Sequence, residues 1–131
     1  MKEPNWLLAD AVVTVQGMLR AEHGGLSGVR DPGLLESALA RARARYAHNS
    51  ESTLFDLAAA YAFGLARNHP FLDGNKHIAI TAVAMFLGDS GFRFAPDKLD
   101  ALKKFLALAA GALDEADLAK WIAANAEKTV G

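Results

Sequence analysis

The sequence contains no cysteine. That excludes a disulfide-stapled scaffold, a thiolate nucleophile and thiolate metal ligands, and it agrees with a cytoplasmic location. Charge of one sign is missing as well, since 14 Lys and Arg against 15 Asp and Glu give a formal net charge of −1. A strongly basic nucleic-acid binder is excluded, no bulk attraction to anionic lipid exists, and any binding of an anion must be local. No run reaches the roughly 18 uncharged apolar residues of a membrane span. Asp10 interrupts the first apolar stretch, so no signal-peptide pattern opens the chain. Nothing here calls for a membrane or a direct nucleic-acid partner. β-branched residues are also scarce: 6 Val and 3 Ile stand beside 27 Ala and 18 Leu. Ala and Leu lose little side-chain entropy in helices, so the composition favours an all-α fold.

With 131 residues, 52% of them hydrophobic, the chain is sized for one globular domain covering 1–131. Gly24 and Gly25 end a first helix beginning near Leu7, and "HGGLSGVRD" reads as a connector. Asp31-Pro32 reads as an N-cap with proline at the first helical position of a second helix, which fades near Tyr46. Thr53 with Asp56 resembles a capping box for a third helix, whose inward face carries Leu54, Leu57, Tyr61 and Leu65. Pro70 stops it, because proline removes a backbone donor and pushes His69 out of helical geometry. A fourth helix spans Asn75 to Asp89 with Ile78, Ala82, Met85 and Phe86 on one side. A fifth follows Pro96-Asp97 with apolar Leu99, Leu102, Leu106 and Leu108, and a sixth starts at Asp114 with Leu118, Trp121 and Ile122. "FRFAP" at 92–96 suits a very short extended piece. The expected architecture is a compact bundle of about six helices.

One stretch carries chemistry. Arg67 to His77 places seven polar or ionisable side chains at the junction of two apolar helices. Gly74 lets the backbone turn, and the residues after it open a helix whose first amides are unpaired and carry the positive end of its dipole. Such a start binds anions. Lys76 adds a full charge, Asn75 a neutral donor, and Asp73 a carboxylate suited to Mg²⁺ bridged to phosphate oxygens. His69 lies on the opposite lip, and histidine is the side chain suited to take a proton from a hydroxyl near neutral pH. The order of groups points to transfer from a nucleotide to a hydroxyl. Each residue also has a plainer reading: a helix-end histidine at 69, a helix-capping carboxylate at 73, a solvated cation at 76. A metal triad of His69, Asp73 and His77 has spacing unlike the i, i+4 pairs of zinc helices. Arg41, Arg43 and Arg45 read as a solvated face, and His23 and His48 as loop neighbours without chemistry.

The segment "HPFLDGNKH" resembles the signature of the Fic/Doc superfamily, and Lys76 in place of a second glycine makes it similar to the Doc (death-on-curing) branch. Ala21 to Ala47 and Ala84 to Phe92 are similar to the flanking regions of that family, so the resemblance covers most of residues 12–94. It implies an all-helical Fic/Doc fold and a toxin that moves the γ-phosphate of ATP to a threonine or serine hydroxyl of a protein, with elongation factor Tu as the expected target. It further implies that His69 is the base, that Asp73 holds Mg²⁺ and orients His69, and that Asn75 and Lys76 contact phosphates. Phe71 anchors the loop, and Arg67 matches a functional arginine. A Phd-like antitoxin is the implied partner.

Three positions depart from the family pattern. His77 stands where arginine is usual and, being shorter, cannot fork onto phosphate; the expectation is weakened transfer. Thr81 stands in place of an asparagine but can still donate a hydrogen bond to the nucleotide, and Gln16 stands in place of a histidine. Three other functions stay open at this level: adenylylation of a protein hydroxyl, an antitoxin-binding domain with little catalysis, and a metal-dependent hydrolase.

Overall fold

Small residues decide the layout. Ala58, Ala59, Ala60 and Ala62 are buried on the third helix together with the bulkier Leu57, Tyr61 and Leu65, so neighbours can approach it closely on several sides. The computed structural model describes residues 1–129; the last two positions of the expected domain, 130 and 131, lie outside them. The element order is α1 (Ala9–His23), α2 (Pro32–His48), α3 (Leu54–Asn68), α4 (Asn75–Asp89), β1 (Phe92–Phe94), α5 (Lys98–Ala109), α6 (Glu115–Ala124) and β2 (Ala126–Lys128). Helix α3 is the hub, with α2, α4, α5 and α6 packed around it and Leu57, Tyr61 and Leu65 buried. The all-helical expectation holds. Among the described residues no helix is long and apolar enough to cross a membrane.

The caps explain why the helices begin where they do. The Asp31 carboxylate accepts from the Leu34 N–H at 3.0 Å, and Thr53 and Asp56 satisfy each other's backbone donors at 3.1 and 2.9 Å. Asp97 and Asp114 accept from Asp100 and Asp117 at 3.0 and 2.8 Å. Helix α1 starts at Ala9 rather than Leu7, because the Leu7 N–H donates to the Tyr61 hydroxyl at 3.0 Å and holds the incoming chain extended against α3.

The α2–α3 contact depends on Gly64. A Cβ there would lie 2.9 Å from both the Cα and the carbonyl oxygen of Ala38, so the two backbones touch. Gly64→Ala is expected to cost about 1–3 kcal/mol of stability through overpacking, read from the midpoint of urea unfolding.

Four details of packing refine this picture. On α5 the buried residues are Ala101, Phe105 and Leu108, while Leu99, Leu102 and Leu106 are 59%, 50% and 48% exposed. Phe105 turns the helix, meeting Trp121 edge-on at 6.1 Å, and Trp121 in turn donates to Asp100 at 2.7 Å. Met85 is only half-buried; Ala79, Val83 and Leu87 complete the inner face of α4. The expected extended piece is β1, but its antiparallel partner β2, pairing Phe92 with Lys128 and Phe94 with Ala126, carries no apolar alternation to announce it. Finally, Arg41 and Arg45 do not simply face water: both bind Glu115 at 2.7 Å and tie α2 to the first turn of α6.

Candidate functional site

The junction between α3 and α4 is built by one proline, one asparagine and a strand-like clamp. Pro70 ends α3, and His69 takes a left-handed conformation (φ 50°, ψ 54°), the one positive φ outside glycine among the described residues. A non-glycine residue holds that conformation only where its surroundings fix it. Here the surroundings are residues 28–31. The Pro70 carbonyl accepts the N–H groups of Arg30 and Asp31 at 2.7 and 3.1 Å, and the Leu72 N–H donates to Gly28 at 3.0 Å. The Arg30 guanidinium donates to the carbonyls of His69 and Asn68 at 2.8 and 3.2 Å. Between these bonds Phe71 is buried in the core and pairs with Val29. Asn75 closes the turn, its carboxamide accepting from the Phe71 N–H at 2.9 Å and donating to the Phe71 carbonyl at 3.1 Å. The glycine-rich connector is therefore the brace of the site loop, not a mere link.

Gln16 joins α1 to both halves. It is only 1% exposed, and its Nε2 donates to the carbonyls of Asp73 and Leu26 at 3.1 and 3.3 Å while its Oε1 accepts from the Gly28 N–H at 3.1 Å. Buried amides with every partner in place fix geometry, so Gln16 acts as a positioning knot.

The result is an open cavity of about 700 Å³. His69 and Leu72 form one lip, Asp73 to His77 and Ile80 the floor, Arg20 and His23 of α1 one wall, and Lys98, Leu102 and Phe105 of α5 the other. Of the residues singled out from sequence, the fold brings His69, Asp73, Gly74, Asn75, Lys76 and His77 together. Arg67 and Thr81 are not among its walls. The exposed Arg67 guanidinium lies 5.4 Å from the Phe63 ring, facing the α5–α6 turn at Gly111. The Thr81 hydroxyl donates to the His77 carbonyl one turn back, at 2.9 Å.

Electrostatics favour an anion. Gly74 (φ 70°) is the N-cap of α4, and the first helical bond is made by the Ile78 N–H at 2.9 Å, so the amides of Asn75, Lys76 and His77 have no helical partner. Arg20, Lys76 and Lys98 surround them, against the single carboxylate of Asp73. That carboxylate does not cap α4 and does not bond the His69 ring. Its Oδ1 accepts from the Gly74 N–H at 2.9 Å and its Oδ2 from the Leu26 N–H at 3.4 Å. Because the Asn75 carboxamide is committed to Phe71, the helix start presents backbone amides and Lys76 rather than the Asn75 acceptor oxygen.

Sequence similarity agrees with this geometry. A sequence model of the Fic/DOC family matches residues 6–87, more than half of the chain. The chain belongs to the Fic/DOC family. It is similar to "Protein kinase doc" of Escherichia phage P1, with 38% identity over 71 residues, 54% of this chain and 56% of that protein. It is also similar to "Toxin Doc" of Mycolicibacterium smegmatis, with 45% identity over 75 residues, 56% of this chain and 58% of that protein. The chain spans somewhat more than half the length of the curated relatives it matches.

Within this Fic/DOC site, two residues escaped the sequence reading. His23 packs its ring 4.9 Å from that of His77, so it is a wall of the cavity rather than a bystander. Arg20 reaches His77 directly, with Nη2 2.9 Å from Nδ1. A guanidinium only donates, so Nδ1 accepts and the imidazole proton sits on Nε2. Burial, then the Arg20 and His23 charges, push the His77 pKa below its ordinary value, with a smaller opposing pull from Glu22. The folded state therefore disfavours protonation. The unfolded chain binds the extra proton as pH falls below about 6.5, so His77's contribution to stability is complete above that pH and is lost on acidification. His77→Gln is expected to flatten this part of the profile, measured as unfolding midpoints at about pH 5 and about pH 8.

The metal-triad reading of His69, Asp73 and His77 does not hold. Among the described residues no three His, Asp or Glu side chains lie close enough to share an ion.

Proposed function

We propose that this protein is a Doc-type toxin that transfers the γ-phosphate of ATP to a serine or threonine hydroxyl of a protein, with elongation factor Tu as the expected target. The observation that carries this reading is the cationic cavity at the unpaired amides of α4, with His69 on its opposite lip. The relatives named as a protein kinase and as a toxin support it.

In this reading the β- and γ-phosphates sit against the backbone amides of Asn75 to His77 and the Lys76 ammonium. His69 accepts the proton of the acceptor hydroxyl as its oxygen bonds to the γ-phosphorus. The bond from that phosphorus to the β,γ-bridging oxygen breaks, and ADP leaves. Asp73 suits Mg²⁺, which takes one or two carboxylates and completes its shell with phosphate oxygens and water. Each Asp73 oxygen accepts one N–H and keeps lone pairs free, and a Cβ at Gly25 would lie 2.5 Å from Oδ2, so the small residue leaves the carboxylate its place. When bound there, Mg²⁺ would supply positive charge against the phosphates.

The reading extends to an antitoxin partner. Leu99, Leu102 and Leu106 form an exposed apolar stripe on α5, and Leu102 also lines the cavity. A Phd-like segment laid on that stripe would overhang the nucleotide site.

The test is incubation of the purified protein with elongation factor Tu, Mg²⁺ and ATP labelled on either the γ- or the α-phosphate. Label from the γ position alone is the expected result. Label from the α position overturns it in favour of adenylylation. Label from neither, with the protein shown to be folded, favours an antitoxin-binding domain over an enzyme for this target.

A further inference from the structure

We propose that Arg20, carried on α1, is a direct phosphate ligand of the cavity and that His77 is the positioning residue that aims it. This rests on the reading of the cavity as a phosphate site.

Three observations lead there. First, the guanidinium lies flat over the start of α4: a Cβ at Gly74 would lie 2.5 Å from its Cζ and 2.8 Å from Nη2. Only glycine, whose φ is +70°, permits that approach. The charge is thus stacked on the anion-binding end of the helix dipole, where a bare cation is disfavoured and a cation with a bound anion is not. Second, the guanidinium is fixed but not neutralised. Nη1 donates to the Gly24 carbonyl at 3.1 Å and Nη2 to His77 Nδ1 at 2.9 Å, and among the described residues no carboxylate pairs with it. Each terminal nitrogen carries two N–H groups, so one on each remains free. Free N–H groups on a planar guanidinium suit donation to phosphate oxygens. Third, the Nε of Arg20 is buried without a partner, which is a cost the fold bears to keep the head group in this place.

His77 explains the aim. As a neutral acceptor at Nδ1 it holds Nη2 without neutralising it, which a carboxylate at that position would do. The cavity therefore clamps phosphate with a guanidinium delivered across from α1, and the short side chain at position 77 serves it.

Calorimetric titration with inorganic tripolyphosphate tests this on the wild type, Arg20→Gln, His77→Gln, His77→Leu and the double variant Arg20→Gln/His77→Leu, with folding verified by circular dichroism. Losing a charge-assisted pair of hydrogen bonds lowers affinity by about tenfold or more, so that is expected for Arg20→Gln. His77→Gln keeps an acceptor for Arg20 and is expected within about threefold of wild type, while His77→Leu falls nearly as far as Arg20→Gln. The double variant is expected to bind no worse than Arg20→Gln, because His77 acts only through Arg20. Wild-type affinity in Arg20→Gln overturns the ligand role. Losses that multiply in the double variant overturn the positioning role. Absence of tripolyphosphate binding by the wild type overturns the inference together with the phosphate site. Arg20-dependent tripolyphosphate binding without label transfer from ATP leaves the inference standing and removes the kinase reading alone.

Discussion

His69→Ala is expected to lower label transfer from ATP by about 10²- to 10⁴-fold in turnover, while affinity for ATP is expected to stay close to that of the unaltered protein. The separation follows from the layout of the cavity. His69 stands on the lip contributed by the end of α3, whereas the unpaired amides, Lys76 and Arg20 belong to the opposite side. Its ring makes no hydrogen bond to another described side chain, and it is the backbone carbonyl of His69 that is tied, by Arg30 at 2.8 Å. Removing the imidazole is therefore expected to leave the loop in place and to take away only the proposed proton acceptor. Single-turnover transfer and equilibrium binding, measured side by side, check the two halves. Equal loss of binding and transfer would instead make His69 a nucleotide ligand. Growth of a bacterial host expressing each form gives a second readout, with arrest expected only when His69 is present.

Phe71→Ala has the largest expected effect on stability, about 3–5 kcal/mol, a large share of the 5–15 kcal/mol typical of a domain. The ring is fully enclosed, yet its backbone is the middle of the site: it pairs with Val29 and is held at both ends by the Asn75 carboxamide. Loss of the ring opens a cavity beneath the turn that carries His69 on one side and Asp73 on the other. Urea unfolding measures the stability loss, and amide hydrogen exchange shows whether 28–31 and 69–75 loosen together. Faster exchange confined to Phe71 itself would contradict the coupling of the two loops.

Much of this was legible in the sequence, for identifiable reasons. Capping residues and proline act locally, so Asp31-Pro32, the Thr53 and Asp56 pair, Pro70 and the helix start after Gly74 sit where their side chains dictate. The chemistry within 69–77 is also local, which is why one glance at that segment assembles His69, Asp73, Lys76 and His77. Arg20 and Gln16 are different. They meet His77 and Asp73 from 57 positions away, and the face that α1 presents to the loop is set by packing rather than by its own pattern. Thr81, which departs from the family motif, and Arg67, which matches it, both lie outside the cavity walls, since the identity of a residue does not fix where its side chain makes its contacts. On α5 the leucines at 99, 102 and 106 and the buried set at 101, 105 and 108 lie on adjacent stripes, and only the Phe105–Trp121 contact decides between them.

The most direct measurement is an amide chemical-shift titration of the whole protein with ATP and Mg²⁺. The largest changes are expected at the backbone amides of Asn75, Lys76 and His77, with smaller ones at Gly24 and His69 across the cavity. Unmoved amides at 75–77, with the largest changes in the second cavity lined by Trp6, Leu35 and Tyr61, would contradict a nucleotide-phosphate site at the start of α4.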